Sequence, residues 1–543
     1  MKRKAVAAVL TAVMVASMFT GCGSDNGSSS AKSASAASAA NDTVDEDGKV
    51  NGIMYQEGLP LVDEGDYTFS IFCDDSSESG EFIMLDEFKK QTNVDVDLKI
   101  YPYETATERL NLDLNSGDYA DVIGGWTLSD NAILTYGVNQ GVFIPLEDYF
   151  EKYCPNISAI LDLPGVREKM TAPDGHIYTI PYVCADTTVG YSPYINTKWL
   201  ENVGMSMPTT TDEFEAVLKA FKEQDANGNG DASDEIPFST DPNNKHIEAM
   251  AGYFGLPMNK LGIAIQNEKV VYGGVSDTYR EFLSWFHKLY AEGLVDVELY
   301  TQDSSTWEGK GNQDLYGVSI AYGSNEFTGI PAAEERGDFD SMPVLNTDKD
   351  GIWLRDTEGF SVYRTQAVIT NKAEHPEIIC RWFDNAFALE NGIGCNRGPV
   401  GVIVNKEDDG YHAIDTTTLS EEDQEKYSWG NLWPQSLPKY LPVDFEFVEE
   451  HPMYDEKKAT EEAYEANLTK EIIPSYWIDL DKIDTFSDTN TAIKDFFEQQ
   501  QAQFVCGELD IDNDADWQAY VDGMYSLGLE DWVATQGIEE IAK

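Results

Sequence analysis

YSPYINTKWLENVGMSMPTTTDEFEAVLKAFKEQDANGNGDASDEIPFS, residues Tyr191–Ser239, carries the signals around which the rest of the chain can be arranged. Within it, Pro208-Thr-Thr-Thr-Asp-Glu-Phe reads as a helix start, because a Thr or Asp side chain can accept from the free N–H groups of a first turn. Phe214, Val217, Leu218 and Phe221 then recur at helical spacing and give that helix one apolar face. Asp225-Ala-Asn-Gly-Asn-Gly-Asp-Ala-Ser-Asp-Glu follows directly, with oxygen-bearing side chains at alternate positions and Gly230 at the sharp bend. That is the pattern of a calcium loop. Asp225, Asn227 and Asn229 offer side-chain oxygens from a tight turn, the Asp231 carbonyl adds another, and Asp234 and Glu235 close the shell. The extended Ile236-Pro237-Phe238 behind them makes this a helix–loop–strand site rather than an EF-hand. Its oxygens suffice without a substrate group, so the expected Ca2+ is structural and pins the helix end to the next segment.

At the start of the chain, Lys2, Arg3 and Lys4 precede an apolar run from Ala5 to Phe19, closed by Thr-Gly-Cys22. A positive region before an apolar stretch of this length reads as an export signal, residues 1–21, too short for a comfortable membrane span. The Gly21-Cys22 ending resembles the lipobox of bacterial lipoproteins, with Phe19 where that family usually has Leu. The resemblance implies an acylated Cys22 as the mature N-terminus. Behind it the Gly-, Ser- and Ala-rich run has no large apolar residue until Val44, so residues 22–60 are expected to form a flexible, lipidated tether. The expected location is the outer face of the cell membrane, reached through the lipid anchor.

Residues 61–543 exceed what one core usually serves, which makes two lobes the expectation. Removing the three cations of the signal takes the net charge from −60 to −63. So acidic a body argues against nucleic acid or anionic lipid as its partner. Beyond Cys22 stand Cys73, Cys154, Cys184, Cys380, Cys395 and Cys506, far apart and without a CxxC, which indicates buried thiols rather than a disulfide framework or zinc ribbon.

Between Asp66 and Asp186 strand and helix patterns alternate: Tyr67–Phe72, Phe82–Gln91, Val94–Tyr101 and Thr105–Asn115, then a third strand ending in Gly124-Gly125-Trp126. In an open parallel sheet, ligands sit beyond the carboxyl ends of strands, which puts Trp126 near a cleft. Asp118-Tyr-Ala-Asp-Val, Gly141-Val-Phe-Ile-Pro-Leu-Glu-Asp-Tyr149 and Asp174-Gly-His-Ile-Tyr-Thr-Ile-Pro-Tyr182 together resemble three successive motifs of the sugar-binding proteins of ABC importers. The quoted stretch continues the match with its Trp-Leu helix and Pro-Thr-Thr. Its Asp-x-Asn-Gly-Asn-Gly loop is similar to one in the alginate-binding members, with one extra residue between Gly230 and Asp234. A Val-Ile-Thr strand at 368–370 and a His375-Pro-Glu helix resemble the family's return to its first lobe. The resemblance implies an α/β fold of two lobes, each a sheet flanked by helices, with a ligand cleft between them. The expected division is 61–186 with 357–420 for the first lobe and 187–356 with 421–543 for the second.

Catalytic signatures are sparse. The histidines at 176, 246, 287, 375, 412 and 451 form no HExxH, and there is no GxSxG elbow or phosphate loop. With 97 acidic residues, carboxylate pairs for glycoside hydrolysis are always available, but none stands out. Asp510-Ile-Asp-Asn-Asp-Ala-Asp516 reads as a solvated helix start before a second metal loop. The aromatic residues are more informative, because sugar C–H faces stack on aromatic planes. Trp126, Tyr182, Trp307, Trp353 and Trp429 are the expected platforms, with Asp186 and Arg364 as polar contacts. The resulting expectation is a non-enzymatic, monomeric receptor that captures an oligosaccharide and delivers it to an ABC permease. A secreted glycoside hydrolase, and a peptide or other solute receptor on the same scaffold, are the competing classes.

Overall fold

In a computed structural model of the chain, the described residues are 42–75, 81–242, 246–329, 338–414, 416–445, 447–448 and 452–542. The expected signal 1–21, the acylated Cys22 and the tether as far as residue 41 lie outside them. All described residues belong to one unit, Ala37–Lys543.

Alternation of side chains builds the first sheet. Along the strand Tyr67–Asp74, Phe69, Ile71 and Cys73 join one apolar cluster while Phe72 joins another. Val122 and Ile123, like Ala367 and Val368, divide the same way, so the sheet is covered on both faces. Its strand order is Val94–Tyr101, Tyr67–Asp74, Val122–Gly124, Phe360–Ile369 and Thr179–Ala185. The first three run parallel, and Phe360–Ile369 runs antiparallel to both its neighbours. Helix Pro376–Ala386 buries Ile379, Trp382 and Phe383 against one face, and helix Tyr103–Ser116 buries Ala106 and Leu110 against the other.

The second sheet has the order Phe339–Ser341, Ser192–Asn196, Tyr316–Ala321 and Ile236–Thr240, with the last two parallel. Helix Thr211–Glu223 covers it as the sequence pattern implies: Thr210 caps the first turn, its Oγ1 accepting from Glu213 N–H at 3.2 Å. Glu213 reaches back to accept from the N–H of Thr209, the residue before the cap, at 2.8 Å. Phe214, Val217, Leu218 and Phe221 are all buried with Ile195, Phe238 and Val318. Helix Asp277–Ala291 adds Phe282, Phe286 and Leu289 to the same cluster.

Three of the crossings between the sheets meet at Gly190. Its N–H donates to Asp356 Oδ2 of the second crossing at 2.7 Å, and its carbonyl accepts from Lys457 Nζ of the third at 2.8 Å. Next to it, Thr188 N–H donates to Glu461 Oε1 at 2.6 Å. Lys457 and Glu461 both sit on helix Pro452–Tyr464, whose last residue is buried in the second lobe's core. Farther along, the 24-residue helix Ile483–Cys506 starts with Ile483 in the first sheet's outer cluster and ends with Phe504 and Val505 in the second lobe. At roughly 1.5 Å per residue it is long enough to serve both.

Two expected boundaries are corrected. Residues 42–60 are no tether: Lys49–Val50 pairs with Met54–Tyr55, and Val50 and Met54 are buried in the first lobe's core. Arg381 Nη2 adds a bond to the Gly58 carbonyl at 2.8 Å. Residues 421–440 do not join the second lobe, since Trp433 stacks on Trp382 at 5.7 Å and Leu437 lies in the same first-lobe cluster. Neither stretch has an apolar period that would tell which of two cores accepts it. Of the cysteines, Cys73, Cys154, Cys380 and Cys395 are buried thiols, Cys184 is half-buried and Cys506 is exposed. Met54→Ala should lower unfolding free energy by about 2–5 kcal/mol, the usual cost of truncating a buried Met. Denaturant melts read this directly, and an unchanged midpoint would restore the tether.

Candidate functional site

The carboxyl end of the strand Tyr67–Asp74 sets the rim of the cleft. Asp74 is buried, and its carboxylate accepts from the N–H groups of Trp126 at 2.9 Å and Thr127 at 2.6 Å. Burial pushes this carboxyl above its usual range, and the bonds from Thr127 and Trp126 oppose the shift. Gly125 between them is required: its φ is +134°, and a Cβ would lie 2.3 Å from Asp74 Oδ1. The turn presents Trp126, 45% exposed, to solvent.

Trp126 is one of three rings in mutual contact. Its centroid is 5.3 Å from Tyr363 and 6.4 Å from Tyr182, and those two tyrosines stack at 5.4 Å. Facing them from the second lobe are Tyr322, which follows the strand Tyr316–Ala321, and Tyr191, stacked on His246 at 4.0 Å. Burial pushes the His246 imidazole down to about 4, with Lys260 adding to the shift, so this ring is neutral at physiological pH. Asp186 bridges the two groups, its Oδ1 accepting from Tyr322 Oη at 3.2 Å and its Oδ2 from Ser361 Oγ at 2.5 Å. Glu326 accepts from Tyr322 N–H at 2.9 Å, and burial raises its carboxyl, with Asp241 and Glu308 adding like charge.

Beyond Trp126 a cavity of about 450 Å³ opens between Ser129–Asn131 of the first lobe and the hairpin Ile263–Gln266/Lys269–Tyr272 of the second. Ile263, Val270 and Ile538 form an apolar wall, opposite the amides of Asn131, Asn490 and Gln536. Asn131 Oδ1 and Gln536 Nε2 have no protein partner among the described residues. An apolar wall with a few convergent polar groups is the usual make-up of a small-molecule site.

The expected contacts sort into two groups. Trp126, Tyr182 and Asp186 come together, and Trp429, 55% exposed, stands on the same rim: Gln435 N–H, behind it, donates to Asp75 Oδ2 at 2.7 Å. Trp307 and Trp353 are corrected. Trp307 is 2% exposed, its Nε1 donating to Ser319 Oγ at 3.2 Å, and Trp353 is 1% exposed between Tyr253 and Tyr464. Both are core, so neither offers a free face. Arg364 is also engaged: its guanidinium meets Asp130 at 2.8 and 2.5 Å, donates to the Tyr476 carbonyl at 2.7 Å and covers Trp477 at 4.1 Å. It ties the first lobe to the third crossing. Tyr363, Tyr322, Tyr191 and His246 were missed. The signal for Tyr363 was its place beside Arg364, but the register shift between Tyr363 and Ala367 breaks the alternation that would have told which side chain points into the cleft.

The candidate metal loop lies apart, at the amino end of the strand Ile236–Thr240, roughly 16 Å of strand from the cleft end. Glu235 Oε1 accepts from Ala226 N–H at 2.8 Å, and Asp225 Oδ2 accepts from Gly230 N–H at 3.0 Å. The other oxygens, Asp225 Oδ1 and Glu235 Oε2, are buried without a partner. Burial raises the Glu235 carboxyl. Asn227 and Asn229 turn toward Asp234, at 3.3 and 2.7 Å, and Asp231 binds Ser233 Oγ at 2.6 Å. Two orphaned carboxylate oxygens in a ring of hard donors fit a bound Ca2+. The acidic run Asp510–Asp516 is by contrast satisfied, with Arg280 on Asp514 at 2.9 Å and Asn513 capping helix Asp514–Ser526.

Comparison with known proteins agrees with this architecture. The chain is 33% identical over 335 residues to FusA, a fructooligosaccharide ABC transporter substrate-binding protein of Streptococcus pneumoniae serotype 4, covering 60% of this chain and 61% of FusA. The chain thus matches less than two thirds of that relative's length. The structure of S. pneumoniae FusA with kestose superposes with a TM-score of 0.76 at 26% identity, covering 86% of this chain and 98% of that one. A FusA EF-hand mutant with fructo-nystose gives 0.74 at 27%, with the same coverage. Residues 76–392, more than half of the chain, match the family described as bacterial extracellular solute-binding protein. The chain belongs to that family.

Proposed function

We propose that this protein captures a neutral oligosaccharide between its two lobes and passes it to the membrane permease of an ABC importer. The observation that carries the reading is the pair of aromatic groups facing each other across Asp186, Trp126–Tyr182–Tyr363 on one lobe and Tyr322–Tyr191–His246 on the other. Apolar sugar faces stack on such rings, while hydroxyls need fixed donors and acceptors, which the amides of the adjoining cavity supply. Tyr182, Trp126 and Trp429 act as platforms and Asp186 as a polar contact. Closure about the three crossings brings the two aromatic groups onto one ligand, so that ligand shifts a population from open to closed.

Electrostatics favour an uncharged ligand. The second lobe contributes Asp241, Glu308 and Glu326 near one another, and burial raises the carboxyls of Glu308 and Glu326. Lys457 and Arg364 are spent on carbonyls and on Asp130. A uronate would have to approach these carboxylates unpaired, at a desolvation cost. The acylated Cys22 would hold the receptor at the outer face of the membrane, with the acidic body working as a monomer away from nucleic acid.

Ca2+ held by Asp225, Asn227, Asn229, Asp231, Asp234 and Glu235 braces the helix Thr211–Glu223 against the strand Ile236–Thr240, away from the ligand. Two orphaned oxygens, Asp225 Oδ1 and Glu235 Oε2, support it.

Tryptophan fluorescence titrated with kestose, nystose, maltotriose and an oligogalacturonate should respond to a neutral glycan and not to the uronate. Trp126→Ala should weaken the response roughly tenfold, about 1.4 kcal/mol. A wild-type protein unresponsive to all four glycans, or one that releases shorter sugars on long incubation, would overturn the reading. A chelator should lower the Tm by a few degrees, as loss of a ligand bound only to the folded state requires. Asp225→Asn should remove that response, and protein isolated without calcium, with a Tm indifferent to chelator, argues the site away.

A further inference from the structure

Behind the exposed Trp429 lies a buried ammonium that the capture of a sugar does not itself require. Lys439 is 3% exposed, and its Nζ donates to Gln435 Oε1 at 3.1 Å. Among the described residues Gln435 is its hydrogen-bond acceptor, so an ion with three N–H donors is held by one amide oxygen and a ring face. That ring is Trp429, whose centroid is 5.5 Å from Nζ. Gln435 completes the unit. Its Nε2 donates to the Trp429 carbonyl at 2.8 Å and to the Trp433 carbonyl at 3.2 Å, and its backbone N–H donates to Asp75 Oδ2 at 2.7 Å. The amide therefore touches the Trp429 backbone with one end and the lysine beneath the indole with the other.

A 55% exposed indole on a three-residue turn, Trp429–Asn431, has little apolar packing to hold its orientation. A cation against one face does what packing does elsewhere, and such contacts strengthen when the cation is desolvated. We propose that Lys439 is a positioning residue for Trp429, fixing the indole through Gln435 and through its ring face so that the opposite face receives the sugar. The inference rests on Trp429 being part of the sugar site.

The consequence is a dependence of capture on pH. The ionisable groups around the ammonium are Asp75, Arg397 and the thiols of Cys184 and Cys395. Burial pushes Lys439 down to about 8, while burial pushes Cys184 up to about 12 and Cys395 higher still, so both thiols stay neutral where the lysine titrates. Above that range the cation–π contact and the charge-assisted bond to Gln435 are lost, and the platform loosens. Stability moves the other way. An unfolded lysine titrates near 10.4, so between about 8 and that value the unfolded chain binds more protons, and the Lys439 contribution to stability rises with pH. Affinity falls over the same window.

The test compares wild type with Trp429→Ala, Lys439→Met, Lys439→Arg and Gln435→Ala, each checked for folding by its Tm. All are titrated with kestose, nystose and maltotriose at pH 7 and pH 9. Wild-type affinity should fall about fivefold between the two, and Lys439→Met should sit at the low value at both. Lys439→Arg, which does not titrate there, should keep its affinity at pH 9. Lys457, also pushed down to about 8 by burial, is present in every variant, so only the difference between variants reports Lys439. If Trp429→Ala weakens binding while Lys439→Met keeps the wild-type pH slope, the lysine has no positioning role. If Trp429→Ala binds as wild type, or wild type binds none of the three sugars, the placement of Trp429 in a sugar site fails, and the inference with it.

Discussion

One residue, Gly190, is hydrogen-bonded to two other crossings, donating to one and accepting from the other, and the relation of the two lobes depends on it. Its N–H is held by Asp356 and its carbonyl by Lys457, whose ammonium also donates to the Tyr322 carbonyl and lies 3.9 Å from the Tyr322 ring. A Cβ at this position would stand 2.9 Å from Asp356 Oδ2, so a glycine is what permits the approach. Because the crossings are bonded to one another rather than running separately, the sheets share a common pivot. Burial pushes Lys457 down to about 8, and the charges of Glu456, Glu326, Asp186 and Asp356 oppose the shift.

From this pivot the site follows by strand direction. The strand Tyr67–Asp74 ends at the carboxylate that shapes the Trp126 turn, and the parallel pair Tyr316–Ala321 and Ile236–Thr240 ends beside Tyr322 and Asp241. Ends of parallel strands are where an open α/β sheet leaves a crevice, and the side chains there sit at the cleft rather than in a core. The loop Asp225–Glu235, with its two unpartnered carboxylate oxygens, occupies the opposite end of the strand Ile236–Thr240 from the cleft.

Much of this was legible in the chain. The period of Phe214, Val217, Leu218 and Phe221 gave a helix and its buried face, and the Asp-x-Asn-Gly-Asn-Gly spacing gave a loop in which the fold leaves two carboxylate oxygens buried without partners. Local patterns of this kind depend on neighbours a few residues away, which the sequence states outright. Trp126 was legible for a related reason, since a glycine pair after a strand announces a turn at a strand end.

Which aromatic rings face solvent was not legible. Trp307, Trp353 and Trp429 are alike in the sequence, yet two are sealed in cores and one stands exposed, because burial is decided by segments far away in the chain. Residues 42–60 and 421–440 joined the first lobe for the same reason, through Met54 and Trp433 meeting a core built largely from other segments. The amino-acid sequence by itself determined the helix Thr211–Glu223 with its buried face and the oxygen-rich loop Asp225–Glu235, both written in short-range spacing, and the order of its motifs carried the resemblance to its family. Only the tertiary structure decided which rings meet across Asp186, that Arg364 is spent on Asp130, and that a lysine lies beneath Trp429. Those are contacts between residues separated by 10 positions for Lys439 and Trp429 and 234 for Arg364 and Asp130, and no local pattern encodes them.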